Sequence, residues 1–204
     1  MSITAEMFKG ELTQEMLETM QTEETHRYWY LESDEYIQVV SKYMADQIDI
    51  LGKNVSVLEV GSSRGSFLKV LKETHPFVGI EGSKVATKFA TQLWGKRPNT
   101  KLIQCRFENF EKLEGKDVRV DLVLFANCLL YLKPEYVLKF ISTFLEKTKA
   151  THFIICSCRE KITAESTYKC LSYKYFHVNL LGMSTLAKNR IIRVYSAEEI
   201  ADEH

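Results

Sequence analysis

Short apolar runs alternate with amphipathic segments through most of the chain, and this alternation restricts the possible folds more than any other feature. The runs with the length and composition of buried strands are residues 55–60, 77–81, 101–105, 119–125 and 151–157. The intervening segments with helical periodicity are residues 66–74, 83–94 and 134–147. Because strands that alternate with helices form a parallel sheet, the sequence predicts an α/β fold with helices on both faces of a mostly parallel sheet.

The two ends of the chain carry other patterns. Residues 1–50 contain no Pro, and the apolar stripe within 36–48 predicts an amphipathic helix. The C-terminal part allows two interpretations. In the first, residues 173–181 and 191–195 are two antiparallel strands that close the sheet. In the second, these residues are an insertion, and residues 196–203 begin a helix that the chain does not complete.

Composition limits the class of protein. The 204 residues, of which 45% are hydrophobic, suffice for one domain with a packed core. Lys plus Arg equals Asp plus Glu at 27 each, so no basic excess indicates a nucleic acid partner. We expect neither a targeting signal nor a membrane span, because no apolar segment has the required length. The five cysteines contain no Cys-x-x-Cys pair, which predicts no metal site and favours a reduced, cytoplasmic protein.

The turn after the first predicted strand is the most informative segment. Residues 61–65, Gly-Ser-Ser-Arg-Gly, follow a buried strand and lead at once into a helical segment. Glycines in such a turn let a ligand approach the backbone, whose free N–H groups lie at the helix N-terminus. The spacing is neither the G-x-G-x-x-G of dinucleotide sites nor a P-loop. Glu59, just before the turn, would repel a pyrophosphate but suits a ligand that carries an ammonium group.

A second acidic residue ends the next predicted strand. Glu81 lies 20 residues after Gly61. A carboxylate at this place can accept hydrogen bonds from both ribose hydroxyls through its two oxygens. Together, the turn and this acid predict a nucleoside ligand without phosphate groups.

These segments resemble the cofactor-binding motifs of class I S-adenosylmethionine-dependent methyltransferases. Glu59, Gly61 and Gly65 match motif I of that family, written E/D-x-G-x-G-x-G, whereas Ser63 stands at its middle glycine. Residues 79–83, Gly-Ile-Glu-Gly-Ser, match its second landmark, G-[IV]-[DE]-x-S. The resemblance covers roughly residues 55–158 and implies a Rossmann-like fold that binds S-adenosylmethionine.

The same resemblance implies a role for each matching residue. Glu59 would orient the amino group of the cofactor, and Glu81, with Gly82 beside it, would bind the ribose. The residues that would hold the methionine part of the cofactor are Gly61, Ser62, Ser63 and Gly65.

Two further segments carry weaker matches to the family. Arg106 stands where many members have an Asp that reaches the adenine, and Phe107 and Glu108 would then contact the adenine instead. In the alternative, Phe107 is a core residue. Asn127 and Tyr131 follow the fourth predicted strand, at the sheet edge where open α/β sheets bind ligands. Tyr131 is a catalytic candidate that would position an acceptor hydroxyl or amine, or it only fills space.

Aromatic residues cluster near the N-terminus. Tyr28 and Trp29 would cover the cofactor and face its sulfonium, with His26 as a second catalytic candidate. In the alternative, they belong to an amphipathic helix that packs on the core. We therefore divide the chain into an N-terminal helical lid on the acceptor side, residues 1–50, and a cofactor-binding domain, residues 51–204.

The resemblance implies transfer of a methyl group to an oxygen or nitrogen atom of a small molecule, with S-adenosylhomocysteine as the product. Three alternatives remain from the sequence: a binding protein or partner subunit without turnover, cyclisation of the cofactor, and methylation of RNA or protein. The partner hypothesis has a specific motive. Residues 193–200 resemble the start of the helix before the last two family strands, which would then be missing here and leave an edge for a second copy or partner chain.

Overall fold

The computed structural model describes residues 34–52, 54–106, 119–126, 128–129, 134–157, 176–186 and 190–199. The helices in this part of the chain are α1 (Asp34–Leu51), α2 (Lys84–Trp94) and α3 (Pro134–Thr148), with a 3-10 helix at Ser66–Lys69. The strands are β1 (Val57–Val60), β2 (Phe77–Glu81), β3 (Thr100–Gln104), β4 (Leu122–Ala126), β5 (His152–Ser157), β6 (Phe176–Leu186) and β7 (Arg190–Glu199).

The described strands form one seven-stranded sheet in the order β3-β2-β1-β4-β5-β7-β6. Strands β1 to β5 pair in parallel, and β7 pairs antiparallel with both β5 and β6. At the centre of the sheet, Val60 pairs with Ile80 on one side and with Phe125 on the other. This architecture confirms the predicted α/β class with a Rossmann-like, mostly parallel sheet.

An apolar core on each face of the sheet explains why the helices form where they do. On one face, α1 buries Tyr36, Val40 and Met44, which lie four residues apart and therefore share one side of the helix. On the other face, α3 buries Phe144, whose ring centroid lies 5.7 Å from that of Phe125 in β4. The stripe predicted within 36–48 is thus confirmed as the core side of α1.

The helix predicted over residues 66–74 is wrong in extent. Only the 3-10 helix Ser66–Lys69 forms there. Phe67 is buried within this single turn, and the carbonyl of Leu71 accepts a hydrogen bond from Nη2 of Arg97 at 2.6 Å. Because that carbonyl is bonded by a distant residue, a longer helix is not needed to satisfy it, and tertiary contacts override the local propensity.

The strand predicted over residues 119–125 begins too early. Strand β4 starts at Leu122, and Asp121 immediately precedes it. The Oδ2 atom of Asp121 accepts hydrogen bonds from both the N–H and the hydroxyl of Ser56 at 2.7 Å. These bonds join the starts of β4 and β1 at the amino edge of the sheet, opposite the edge where ligands bind.

The structure decides between the two C-terminal interpretations. Strands β6 and β7 form an antiparallel pair, so the interpretation as two closing strands is confirmed. The helix predicted from residue 196 is wrong, because Ser196 pairs with His152 of β5 and Ala197 is buried. The hypothesis that the last two strands are missing is therefore also wrong.

The N-terminal region is described only in part. Helix α1 is confirmed, whereas residues 1–33, which include the predicted lid residues His26, Tyr28 and Trp29, lie outside the described residues. No helix among the described residues is long and apolar enough to span a membrane.

Replacement of Phe144 by Ala should lower the free energy of unfolding by about 3–5 kcal/mol, because it leaves a cavity in the α3 core. The matched control is Tyr136→Ala on the same helix, where the side chain is 55% exposed. We expect a change within about 0.5 kcal/mol for that variant. Urea denaturation measures both, and similar effects of the two variants would contradict the assignment of the α3 core face.

Candidate active site

The predicted site residues that the structure describes lie together at the carboxyl edge of the parallel strands. The strand order reverses between β1 and β4, with β2 and β3 on one side and β5 on the other. Open α/β sheets bind ligands in the crevice outside this edge at such a reversal. The turn at residues 61–65 follows β1, and Cys128 follows β4, so the two flank the crevice.

The two glycines of the turn are required by the packing of the protein itself. Gly61 has a φ of 80°, and a Cβ there would lie 2.7 Å from the Cβ of Cys128 and 2.9 Å from the carbonyl oxygen of Ala126. Gly65 has a φ of 76°, and its Cβ would lie 2.9 Å from the Trp94 ring. The sequence indicated room for a ligand at these glycines, but the structure shows that they also make room for β4 and α2.

The carboxylate of Glu81 is fixed against this turn. Its Oε2 atom accepts a hydrogen bond from the backbone N–H of Ser63 at 2.8 Å, and its Oε1 atom accepts one from the N–H of Ser83 at 2.7 Å. These two bonds, one to each oxygen, orient the carboxylate group. The turn and the acid, which the sequence identified separately, are therefore in direct contact.

Ser63 carries two unfavourable features. Its φ of 47° lies in the left-handed region, which a residue with a Cβ adopts at a cost. Its hydroxyl oxygen is buried and has no hydrogen-bond partner among the described residues. A glycine, the usual residue at this place of the motif that the turn resembles, would avoid both costs. The backbone N–H of Ser63, and not its hydroxyl, donates to the Glu81 carboxylate.

Two charged side chains next to the crevice are almost fully buried. Glu59, predicted to orient the amino group of a ligand, is 2% exposed at the carboxyl end of β1. Arg64 is 1% exposed within the turn, and its Nε donates to the Ser66 hydroxyl at 3.3 Å. Arg64 was missed as a site residue, although a charged residue between two glycines of a buried turn is a usable signal.

The pKa of the Cys128 thiol is affected by the acidic side chains at this edge. Burial raises the pKa of its thiol well above the usual range, and the negative charges of Glu81 and Glu59 raise it further. Both carboxylates therefore act on the same point at the end of β4. Such a field favours a cationic group and disfavours a phosphate.

Ser62 and Gly82 complete the described part of the predicted set. The N–H of Ser62 donates to the carbonyl of Ile80 at 3.1 Å, which ties the turn to β2. A Cβ at Gly82 would approach nothing closer than Arg106 at 3.8 Å. The structure therefore shows no steric requirement for glycine at position 82.

The remaining predicted site residues are not placed. The ones that lie outside the described residues are Phe107, Glu108, Asn127, Tyr131, His26, Tyr28 and Trp29. Trp94 was missed by sequence reasoning altogether. Its indole Nε1 donates to the carbonyl of Arg64 at 2.9 Å, across a separation of 30 residues that no local pattern signals.

The fold and the turn define a class of Rossmann-like α/β proteins, and comparison with known proteins identifies the family. The family described as "Methyltransferase domain" matches residues 51–198, and the chain belongs to it. A comparison with curated proteins finds no matching sequence.

Solved structures share the fold at low sequence identity. Magnesium protoporphyrin IX methyltransferase from Synechocystis PCC 6803, solved with bound S-adenosylmethionine, is 13% identical with a TM-score of 0.69. That match covers 92% of this chain and 99% of the other. The N-methyltransferase NodS from Bradyrhizobium japonicum WM9, solved with S-adenosylhomocysteine, is 15% identical with a TM-score of 0.67. That match covers 91% of this chain and 98% of NodS.

Replacement of Ser63 by Gly should raise the free energy of unfolding by about 1–2 kcal/mol, because it removes both the left-handed strain and the buried hydroxyl. Ser63→Ala is the matched control, since it removes the hydroxyl and keeps the strain, and should gain less. Urea denaturation measures both variants. A loss of stability in Ser63→Gly would contradict the description of this turn.

Proposed function

We propose that this chain transfers a methyl group from S-adenosylmethionine to an oxygen or nitrogen atom of a small molecule and releases S-adenosylhomocysteine. The observation that carries the proposal is the Glu81 carboxylate, which two backbone N–H groups hold at the edge of the glycine turn. Membership of the methyltransferase family supports the same conclusion independently.

The charges and hydrogen-bonding groups of the described residues suit the proposed cofactor. The Glu81 carboxylate can accept hydrogen bonds from the two ribose hydroxyls, as its position at the end of β2 favours. The negative charges of Glu81 and Glu59, which both raise the pKa of the Cys128 thiol, suit a ligand that carries an ammonium and a sulfonium group. The charge of Glu59 beside the turn would repel the pyrophosphate of a dinucleotide. The buried hydroxyl of Ser63 is a further polar group suited to a ligand.

In the proposed reaction, the protein mainly positions and shields the reactants. When bound, S-adenosylmethionine supplies an electrophilic methyl carbon on a positively charged sulfur. The turn at residues 61–65, with Glu59 and Glu81, would hold one reactant against the sheet edge, so that the acceptor atom can approach in line. Such orientation can account for about 7–11 kcal/mol of the barrier in favourable cases.

The acceptor side of the site is proposed from residues outside the described set. We assign adenine contacts to Phe107 and Glu108, and the sheet-edge contact to Asn127. Tyr131 and His26 remain the catalytic candidates, for positioning or deprotonation of the acceptor. Tyr28 and Trp29 would close over the cofactor as parts of the lid.

The division of the chain is also part of the proposal. We assign residues 1–50 to the lid and acceptor side and residues 51–204 to the cofactor-binding domain, and the family match over 51–198 supports the second assignment. A small-molecule acceptor is supported by the relatives in fold, one of which is named for a magnesium porphyrin and another as an N-methyltransferase. We place the protein in the cytoplasm, where its free thiols Cys105, Cys128 and Cys156 would stay reduced.

The test is calorimetric titration of the purified chain with S-adenosylmethionine, S-adenosylhomocysteine and NAD. We expect micromolar binding of the first two and none of NAD. Glu81→Gln should weaken S-adenosylhomocysteine binding roughly 10- to 100-fold, because a charge-assisted hydrogen bond contributes about 1.5–3 kcal/mol. Glu146→Gln, an exposed acid on α3, is the matched control and should bind like the wild type.

The outcomes separate the hypotheses. Binding of NAD alone would refute the proposed cofactor. Equal binding by Glu81→Gln and the wild type would refute the role of Glu81 in cofactor binding, on which the proposal rests. If the cofactor binds, incubation with radiolabelled S-adenosylmethionine and a panel of hydroxyl- and amine-bearing small molecules then tests the acceptor class.

A further inference from the structure

The cofactor turn and Glu81 belong to one closed circuit of hydrogen bonds and covalent chain. Glu81 accepts from Ser63 of the turn on one side and from Ser83 on the other. Ser83 is the N-cap of α2, where its hydroxyl oxygen accepts from the N–H of Ala86 at 3.3 Å. The N-cap residue of α2 is therefore also a residue that donates to Glu81, the acid proposed to bind the ribose.

The other end of α2 returns to the turn. The last residue of the helix is Trp94, and its indole Nε1 donates to the carbonyl of Arg64 at 2.9 Å. Arg64 is the neighbour of Ser63, at which the circuit began. The Trp94 ring also occupies the space that a Cβ at Gly65 would enter, at 2.9 Å. The Trp94 side chain thus reaches two adjacent residues of the turn. Its N–H bonds to Arg64, and its ring lies against Gly65.

This arrangement makes α2 a strut between the two cofactor-binding elements. A helix of 11 residues is about 16.5 Å long and resists changes of length, because each turn is fixed by backbone hydrogen bonds. One end fixes the Glu81 carboxylate through Ser83, and the other fixes the turn through Trp94. If the bond at Trp94 is lost, the turn loses the hydrogen bond that joins the Arg64 carbonyl to the end of α2.

We propose that Trp94 is a positioning residue for the cofactor site, which sets the turn at residues 61–65 relative to Glu81 through its bond to the Arg64 carbonyl. The inference rests on the proposed function and deepens it. Trp94 does not need to touch the ligand, because it acts through the backbone of the turn. Its loss should therefore lower the affinity for the cofactor.

Arg97 provides a structural control in the same region. Its Nη2 donates to the Leu71 carbonyl at 2.6 Å and its Nη1 to the Thr100 hydroxyl at 3.0 Å. Like Trp94, it ties the end of α2 to the segment after β1, but these bonds do not involve the turn. Loss of either residue should lower stability, and only loss of the Trp94 bond should disturb the cofactor site.

The experiment compares Trp94→Phe with Arg97→Ala, each in the full chain. Trp94→Phe retains an aromatic ring and removes the N–H donor. Calorimetry should give a dissociation constant for S-adenosylhomocysteine that is about three- to tenfold higher than that of the wild type, as expected for one hydrogen bond. Arg97→Ala should stay within about twofold of the wild type, although urea denaturation should show a lower midpoint for both variants.

A second measurement does not depend on the folding of either variant. The wild type has two tryptophans, Trp29 and Trp94, so a proton–nitrogen spectrum should contain two indole N–H signals. Trp29→Phe identifies the Trp94 signal by leaving it in place. Saturating S-adenosylhomocysteine should shift that signal in the wild type, because the ligand and the indole act on the same turn.

The results that overturn the inference are distinct from failure of the proposed function. Unchanged affinity in folded Trp94→Phe, equal weakening in both variants, or an unmoved Trp94 signal at saturation would each refute the role of Trp94. A wild type that binds no S-adenosylhomocysteine would instead refute the proposed cofactor, and this inference with it.

Discussion

The close contact between the glycine turn and the end of β4 is the constraint on which the site depends. Gly61 has no Cβ, so the backbone after β1 lies directly against Ala126 and Cys128. Strands β1 and β4 can therefore stay adjacent at the point where the strand order reverses, and the crevice opens above them. The position of the Glu81 carboxylate also follows from this turn, because the N–H of Ser63 holds the acid.

The acidic side chains at this edge of the sheet favour a positively charged ligand. Glu59 and Glu81 stand at the ends of neighbouring parallel strands, and both raise the pKa of the buried Cys128. Arg64 is buried in the same turn. The carboxylate of Glu59, next to the turn, would repel a pyrophosphate, which gives a physical reason for the proposed sulfonium cofactor. Ser63 keeps a strained φ and a buried hydroxyl in this turn, and both lower the stability of the fold.

Sequence reasoning located the regular elements well where one face of each is apolar. Helices α2 and α3 and strands β2, β3 and β5 lie within one residue of their predicted bounds. It also selected Glu59, Gly61, Gly65 and Glu81 as candidate site residues, because their spacing along the chain is itself the signal. It failed over residues 66–74, where the helical pattern is real but Arg97 binds the Leu71 carbonyl from outside the segment. It did not decide between the two C-terminal interpretations, because the conformation of a short segment of mixed polarity depends on the strand that pairs with it.

The sequence by itself determined the class of the fold and the acids and glycines of the site, because hydrophobic periodicity and motif spacing are local properties of the chain. Only the tertiary structure decided that β6 and β7 complete the sheet, since their pairing partner β5 must first be in place. It alone also joined Trp94 to the Arg64 carbonyl and the Ser63 N–H to Glu81. Contacts of this kind connect residues far apart in sequence, and their geometry exists only once the strands and α2 have packed together.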